Sequence, residues 1–184
     1  MEENLILTRA ENSTESSNPF DDPRTWGPGP WIGEPGVGHE EWYHYKDYIC
    51  VIKRQFSGNW CGYVHVPMTS PFFKKVKEAE NDWDIEIEVH GSITYSGKTL
   101  PWEKKGPKKG LWIGFDTSHS DDIWPLYEAQ MEFMKEKLPD IIKDLNKITG
   151  EIREMFPMIK TYKTLQFVRD ECKSMIDQIV GYKE

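Results

Sequence analysis

With 23 basic against 31 acidic residues among 184, the chain carries a net charge of −8. That balance argues against a general binder of nucleic-acid polymers or anionic membranes, both of which draw on a net basic footprint. The length fits one domain that folds without disulfide or metal. The three cysteines, odd in number and without metal-type spacing, read as free thiols of a reducing cytoplasm.

The N-terminal stretch MEENLILTRAENST has acids at Glu2 and Glu3 and an apolar run of only three residues, so it does not read as a secretory signal. No apolar stretch approaches the roughly 20 residues of a membrane span, and the expected location is the cytoplasm. Residues 1–40 read as an irregular lead-in, because the Gly/Pro-rich run GPGPWIGEPGVG admits neither a regular helix nor a central strand. Residues 41–184 then form a single α+β domain. Its first stretch, Glu40 to Tyr48, is rich in aromatic residues and reads as one or two helical turns. YICVIKRQF and WCGYVHVP are strand-like runs joined by SGN, a hairpin pattern. Thr69-Ser70-Pro71 opens a short helix within 68–80.

In DWDIEIEVHGSITYSG, Ile85, Ile87 and Val89 alternate with Asp84, Glu86 and Glu88, the pattern of a half-buried strand continuing to Tyr95 after a bend at His90-Gly91. The loop 98–109 holds five Lys and one Glu, and LWIGFD is a further apolar strand. Residues 126–156 read as helix, with Ile141, Ile142, Leu145, Ile148 and Ile152 on one stripe. The strongest helix pattern spans 161–180, where Leu165, Val168, Cys172, Ile176 and Ile179 recur at helical spacing behind Thr161 or Thr164 as a cap. Strands at about 48–116 followed by C-terminal helices give an α+β fold with a mostly antiparallel sheet.

Three groups of residues carry possible chemistry. Under a two-residue period His90, Ser92, Thr94 and Ser96 share one strand face, a row of imidazole and hydroxyl groups suited to a polar ligand, with Tyr95 on the other face. A solvated strand face is the plain alternative. Trp112-Ile-Gly-Phe-Asp116 leads into Asp116-x-x-His119-x-x-Asp122, which either holds a divalent metal with His90 as a fourth ligand or pairs Asp116, an orienting carboxylate, with His119 as general base. Ordinary turn chemistry explains the same residues, and on that ground no bound metal or other cofactor is expected. The Lys-rich loop with Trp102, Lys104 and Lys105 is either a solvated linker or a lid bringing positive charge to phosphates. The eight Trp residues exceed what one core of this size readily hides, which predicts aromatic surface at subunit contacts and hence self-association.

The blocks Cys61-Gly-Tyr63-Val, His90-Gly-x-Ile-Thr-Tyr-Ser96, Trp112-Ile-Gly-Phe-Asp116-x-x-His119-x-x-Asp122 and Tyr162-x-Thr-Leu-x-Phe-Val-x-x-Glu-Cys172 occur in that order across roughly residues 60–180. In them the chain resembles a widespread phage and bacterial family with the pattern HGGxTY, GFDCAHAGD and a closing YRTLxYVxxEC helix. It departs from that pattern at Ser92, where a second Gly is usual, and through Thr117–Asp121. The chain also resembles the anti-CBASS cyclic-nucleotide sponges of phages. That resemblance implies an oligomer (a dimer or tetramer) acting in the host cytoplasm, which binds a cyclic dinucleotide immune signal without cleaving it. The expected ligand-binding residues are His90, Thr94, Tyr95, Ser96, Trp112, Asp116, His119, Lys104 and Lys105. A metal- or His/Asp-dependent phosphoester hydrolase is the main alternative, and an inhibitor that binds a host protein directly is the second.

Overall fold

Two runs of β-branched and aromatic residues form the centre of the sheet. Strand β3 (Tyr48–Arg54) and strand β4 (Trp60–Pro67) pair as the expected hairpin. The computed structural model describes residues 4–9 as backbone, then 21–103, 109–139 and 160–183, the side chain of Trp83 excepted. Around the hairpin lie β1 (Asn4–Arg9), β2 (Glu40–Tyr45), β5 (Tyr95–Gly97) and β6 (Gly110–Asp116). The six strands are ordered β1-β2-β3-β4-β6-β5 and every pairing is antiparallel. Three α-helices accompany them: α1 (Phe73–Glu78), α2 (Pro125–Lys137) and α3 (Leu165–Gly181). The fold is therefore α+β with an antiparallel sheet, as the alternation implies. No helix among the described residues is long and apolar enough to cross a membrane.

Helix α3 supplies the core of one sheet face. Thr164 caps it, accepting from the Phe167 N–H at 3.1 Å. Val168, Cys172, Met175, Ile176 and Ile179 are buried against Ile52, Trp60, Val64, Ile113 and Phe115. The helix packs closely because β4 presents Gly62 to it: a Cβ there would lie 2.6 Å from the Phe115 ring and 2.7 Å from Cys172 Sγ. On the opposite face Val51, Cys61, Tyr63, Leu100 and Trp112 form a second cluster, with Trp42, Tyr95 and Trp102 packed on it. A third gathers Trp26, Trp31 and Leu126. Six of the seven Trp side chains described belong to these clusters, Trp124 packs edge-on against Tyr127 of α2, and none is fully exposed. The tryptophan count therefore does not by itself require a subunit interface.

Three expectations need correction, and a fourth falls largely outside the described residues. Glu40–Tyr45 is a strand, not a helical turn: Lys46 and Asp47 take φ +48° and +66°, the two-residue reversal that closes a β2–β3 hairpin without Gly. The segment 1–40 is not irregular throughout, since β1 adds to the outer edge of β2. Residues 85–90 keep the predicted burial alternation, with Ile85 and Ile87 inside, but they form no ladder. There the Gln178 amide of α3 accepts from Glu88 N–H and donates to Glu88 C=O, both at 2.7 Å, in place of a neighbouring strand. Lastly, the helix begun at Pro125 ends at Lys137, and the stripe from Ile141 to Ile152 lies outside the described residues.

The N-terminal segment is clamped through Glu34. Its Oε2 accepts from Trp60 Nε1 at 2.9 Å, from Arg54 Nη1 at 3.3 Å and from Tyr162 Oη, and its Oε1 accepts from the Leu165 N–H at 2.7 Å. The Arg54 side chain is wholly buried, so removing this carboxylate strands a charge. We predict that Glu34→Ala lowers stability by about 3–5 kcal/mol, read from chemical denaturation. A loss below about 1 kcal/mol would show the clamp to be dispensable.

Candidate functional site

The loop after β6 is built from two carboxylates that turn the chain. Asp116 Oδ1 accepts from the Ser118 N–H at 2.9 Å and from its hydroxyl, and Oδ2 accepts from Thr94 Oγ1 at 2.8 Å. Asp122 is buried and accepts from the His119 N–H at 3.0 Å. Its Oδ2 also lies 2.9 Å from His90 Nε2 and 3.2 Å from His119 Nδ1. The two imidazole rings stand nearly perpendicular, centroids 5.0 Å apart. His90 is held from the other side by its N–H, which donates to Glu171 of α3 at 2.7 Å. Gly91, at φ +69°, permits the approach, since a Cβ there would lie 1.9 Å from the His119 ring.

Beside this loop, on the sheet face away from α3, opens a cleft of about 920 Å³, within the usual range for small-molecule sites. The rings of Tyr63, Tyr95 and Trp102 line it, with centroids 5.7 Å (Tyr63–Tyr95) and 5.2 Å (Tyr63–Trp102) apart in edge-to-face contact. Lys53 Nζ sits 4.4 Å from the Trp102 centroid and pairs with Glu40 at 3.3 Å. At the tip of the β3–β4 hairpin the Phe56 ring is 85% exposed over the same cleft.

The predicted site residues divide between these two places. Thr94, Tyr95 and Asp116 line the cleft, whereas His90 and His119 converge on Asp122. The expected row of His90, Ser92, Thr94 and Ser96 on one face is absent, because Gly91 and Ser92 both take positive φ and break the two-residue period. Ser96 instead donates to Asp82. Trp112 is fully buried, edge-on to Trp42 at 5.9 Å, so no ligand reaches it in the monomer. Lys104 and Lys105 lie outside the described residues. The sequence reading missed Phe56, Lys53 and Tyr63. The signal for Phe56 was a large aromatic residue beside the polar turn SGN, where burial gives it no reason to be.

Burial works to raise the Asp116 carboxyl, but hydrogen bonds from Ser118 and Thr94, with the nearby His119, outweigh it and hold the group below the usual carboxylate range. It is therefore an acceptor-only anion at neutral pH. Burial pushes the Cys61 thiol on the cleft wall up to about 12, so it is no nucleophile. A depressed native pKa contributes stability that is present above the unfolded value near 3.9 and is lost as pH falls through the native one. We predict that Asp116→Asn costs about 1 kcal/mol at pH 7 and that its melting difference from wild type shrinks as pH drops below about 4. A difference unchanged down to pH 2 would show that the charge is not its source.

No family model, curated protein or solved structure matches the chain.

Proposed function

We propose that the protein is a sequestering protein that binds a cyclic dinucleotide in the aromatic cleft and keeps it intact, acting against a host immune signal in the host cytoplasm. The observation that carries this reading is the cleft itself: aromatic rings, the Lys53 ammonium and the Asp116 carboxylate among the groups around a volume suited to a flat, polar ligand. Aromatic rings serve any base because every base has a π-face. Asp116, held ionised, is suited to accept from ring N–H and amino groups of a base. Lys53 and the Lys-rich loop that follows Trp102 are suited to phosphate oxygens. Binding is favoured over cleavage in the cleft, because a carboxylate below its usual range is a poor base at neutral pH and the Cys61 thiol stays protonated. Self-association into a dimer or tetramer belongs to the same proposal and rests on the resemblance to the phage sponges.

A second reading, a phosphoester hydrolase, is favoured by the His90–Asp122–His119 cluster. Incubating the protein with cyclic dinucleotides, denaturing the mixture and weighing the released nucleotide separates the two. Intact ligand at one equivalent or less supports sequestration, and multiple turnovers support the hydrolase.

At 100 times its dissociation constant the ligand adds about 2.7 kcal/mol to stability, visible as a melting shift. We predict such a shift with a cyclic dinucleotide and a loss of about 1–3 kcal/mol in affinity for Trp102→Ala and Phe56→Ala. Phe56→Ala leaves the melting temperature of the empty protein unchanged, because the ring is exposed. Normal affinity in both variants would remove the cleft from the account.

A further inference from the structure

We propose that His90 Nε2, His119 Nδ1 and a carboxylate oxygen of Asp122 form a binding site for one divalent transition-metal ion of the zinc class. This goes beyond the cleft reading and rests on different residues. On spacing alone turn chemistry has the advantage, because Asp116, His119 and Asp122 all lie in one short loop. The structure changes the set: Asp116 turns towards the cleft and is not among the grouped ligand atoms, and His90 arrives from a separate segment held against α3 by Glu171.

The geometry fits an ion. The three candidate ligand atoms lie within 4.8 Å of one another, two of the separations being 2.9 and 3.2 Å. A tetrahedral zinc with N and O bonds of about 2.0–2.1 Å sets its ligand atoms about 3.3–3.5 Å apart. Loading therefore asks the Asp122 contacts to lengthen by a few tenths of an ångström and the two imidazoles to close on the ion. The crossed rings allow this, since both direct a nitrogen at the same carboxylate.

The donor set also selects the ion. Two imidazoles and one carboxylate form the two-histidine, one-carboxylate set of zinc, cobalt or iron(II), and not the all-oxygen set of calcium or magnesium. The Asp122 side chain is 0% exposed, while the His90 and His119 side chains are 15% and 28% exposed. The carboxylate is thus withdrawn from water and the imidazoles face the solvent side, which gives the ion a way in. Three protein ligands leave a position for water or a ligand oxygen. One charge works against the ion: Lys163 Nζ lies 3.8 Å from Asp122 Oδ1, held by Thr161 Oγ1 at 2.6 Å. It weakens the site without occupying it.

The test uses the full chain, stripped with a chelator and titrated with Co²⁺ by visible absorption, then with Zn²⁺ in competition. The expected result is one Co²⁺ per chain with four- or five-coordinate d–d bands, displaced by Zn²⁺. His119→Ala weakens binding by at least about tenfold. His44→Ala, at an exposed position outside the cluster, leaves it unchanged. Lys163→Met tightens it, because it removes the positive charge 3.8 Å from Asp122 Oδ1. Should His119→Ala fail to fold by circular dichroism, Asp122→Asn replaces it, keeping an acceptor for the His119 N–H while removing the charge. No binding by the wild type at about 100 times the protein concentration, or binding that the cluster variants leave intact, overturns the proposal. Neither result bears on nucleotide binding, which is measured without added metal.

Discussion

The Arg54 side chain lies wholly inside the protein, its guanidinium 4.7 Å from the ring centroids of both Trp26 and Trp60. A buried cation of this kind costs several kcal/mol unless its donors are met. Here they are met by three separate segments: Gly58 C=O of its own hairpin at 3.0 Å, Pro35 C=O and Glu34 of the N-terminal segment, and Tyr162 Oη ahead of α3 at 2.7 Å. Burial draws the Arg54 pKa down, and Tyr162 and Glu34 oppose that shift. The fold is thus tied at the end of β3, where the N-terminal segment, the hairpin and the approach to α3 all converge on one side chain.

Both candidate sites hang from this tie. Through Gly58 it fixes the hairpin whose tip carries Phe56 over the cleft. Through Tyr162 it fixes the neighbouring Thr161, whose backbone exchanges hydrogen bonds with Asp121 and Ile123 at 2.9 Å and so sets the height of Asp122. The loop after β6 then serves two faces. Its first carboxylate turns towards the cleft and its second towards the histidines, six residues later. A ligand in the cleft and an ion on the histidines would therefore share a wall, with Asp116 and His119 close enough for one to influence the charge of the other.

Much of this was legible in the sequence, where a single period governed a segment. The hairpin, β6 and α3 followed directly from runs such as YICVIKR, GLWIGFD and the Leu165–Ile179 stripe, because one hydrophobic face decided each of them. β2 was not legible, since Lys46-Asp47 makes a left-handed turn without the Gly that usually announces one. The bend at His90-Gly91 was legible from its Gly, but the missing ladder before it was not: a strand was expected because the Ile85–Val89 alternation is real, yet a helix side chain satisfies that backbone. For the site, residue types were readable and partners were not. His90, His119 and Asp122 stood out as ligand-type groups, yet their meeting depends on a positive φ at Gly91 and on Glu171 eighty residues further on. Trp112 shows the converse: an aromatic residue beside functional-looking groups is here a core residue.

The central claim is that a nucleotide lies among Phe56, Tyr63, Tyr95 and Trp102. A crystal structure of the protein grown with a saturating cyclic dinucleotide tests it most directly. The account predicts density for at least one base against Trp102 or Phe56, with base amino or ring N–H groups within hydrogen-bond distance of Asp116. Ligand density at any other place on the molecule, or an empty cleft at saturating ligand, would contradict it.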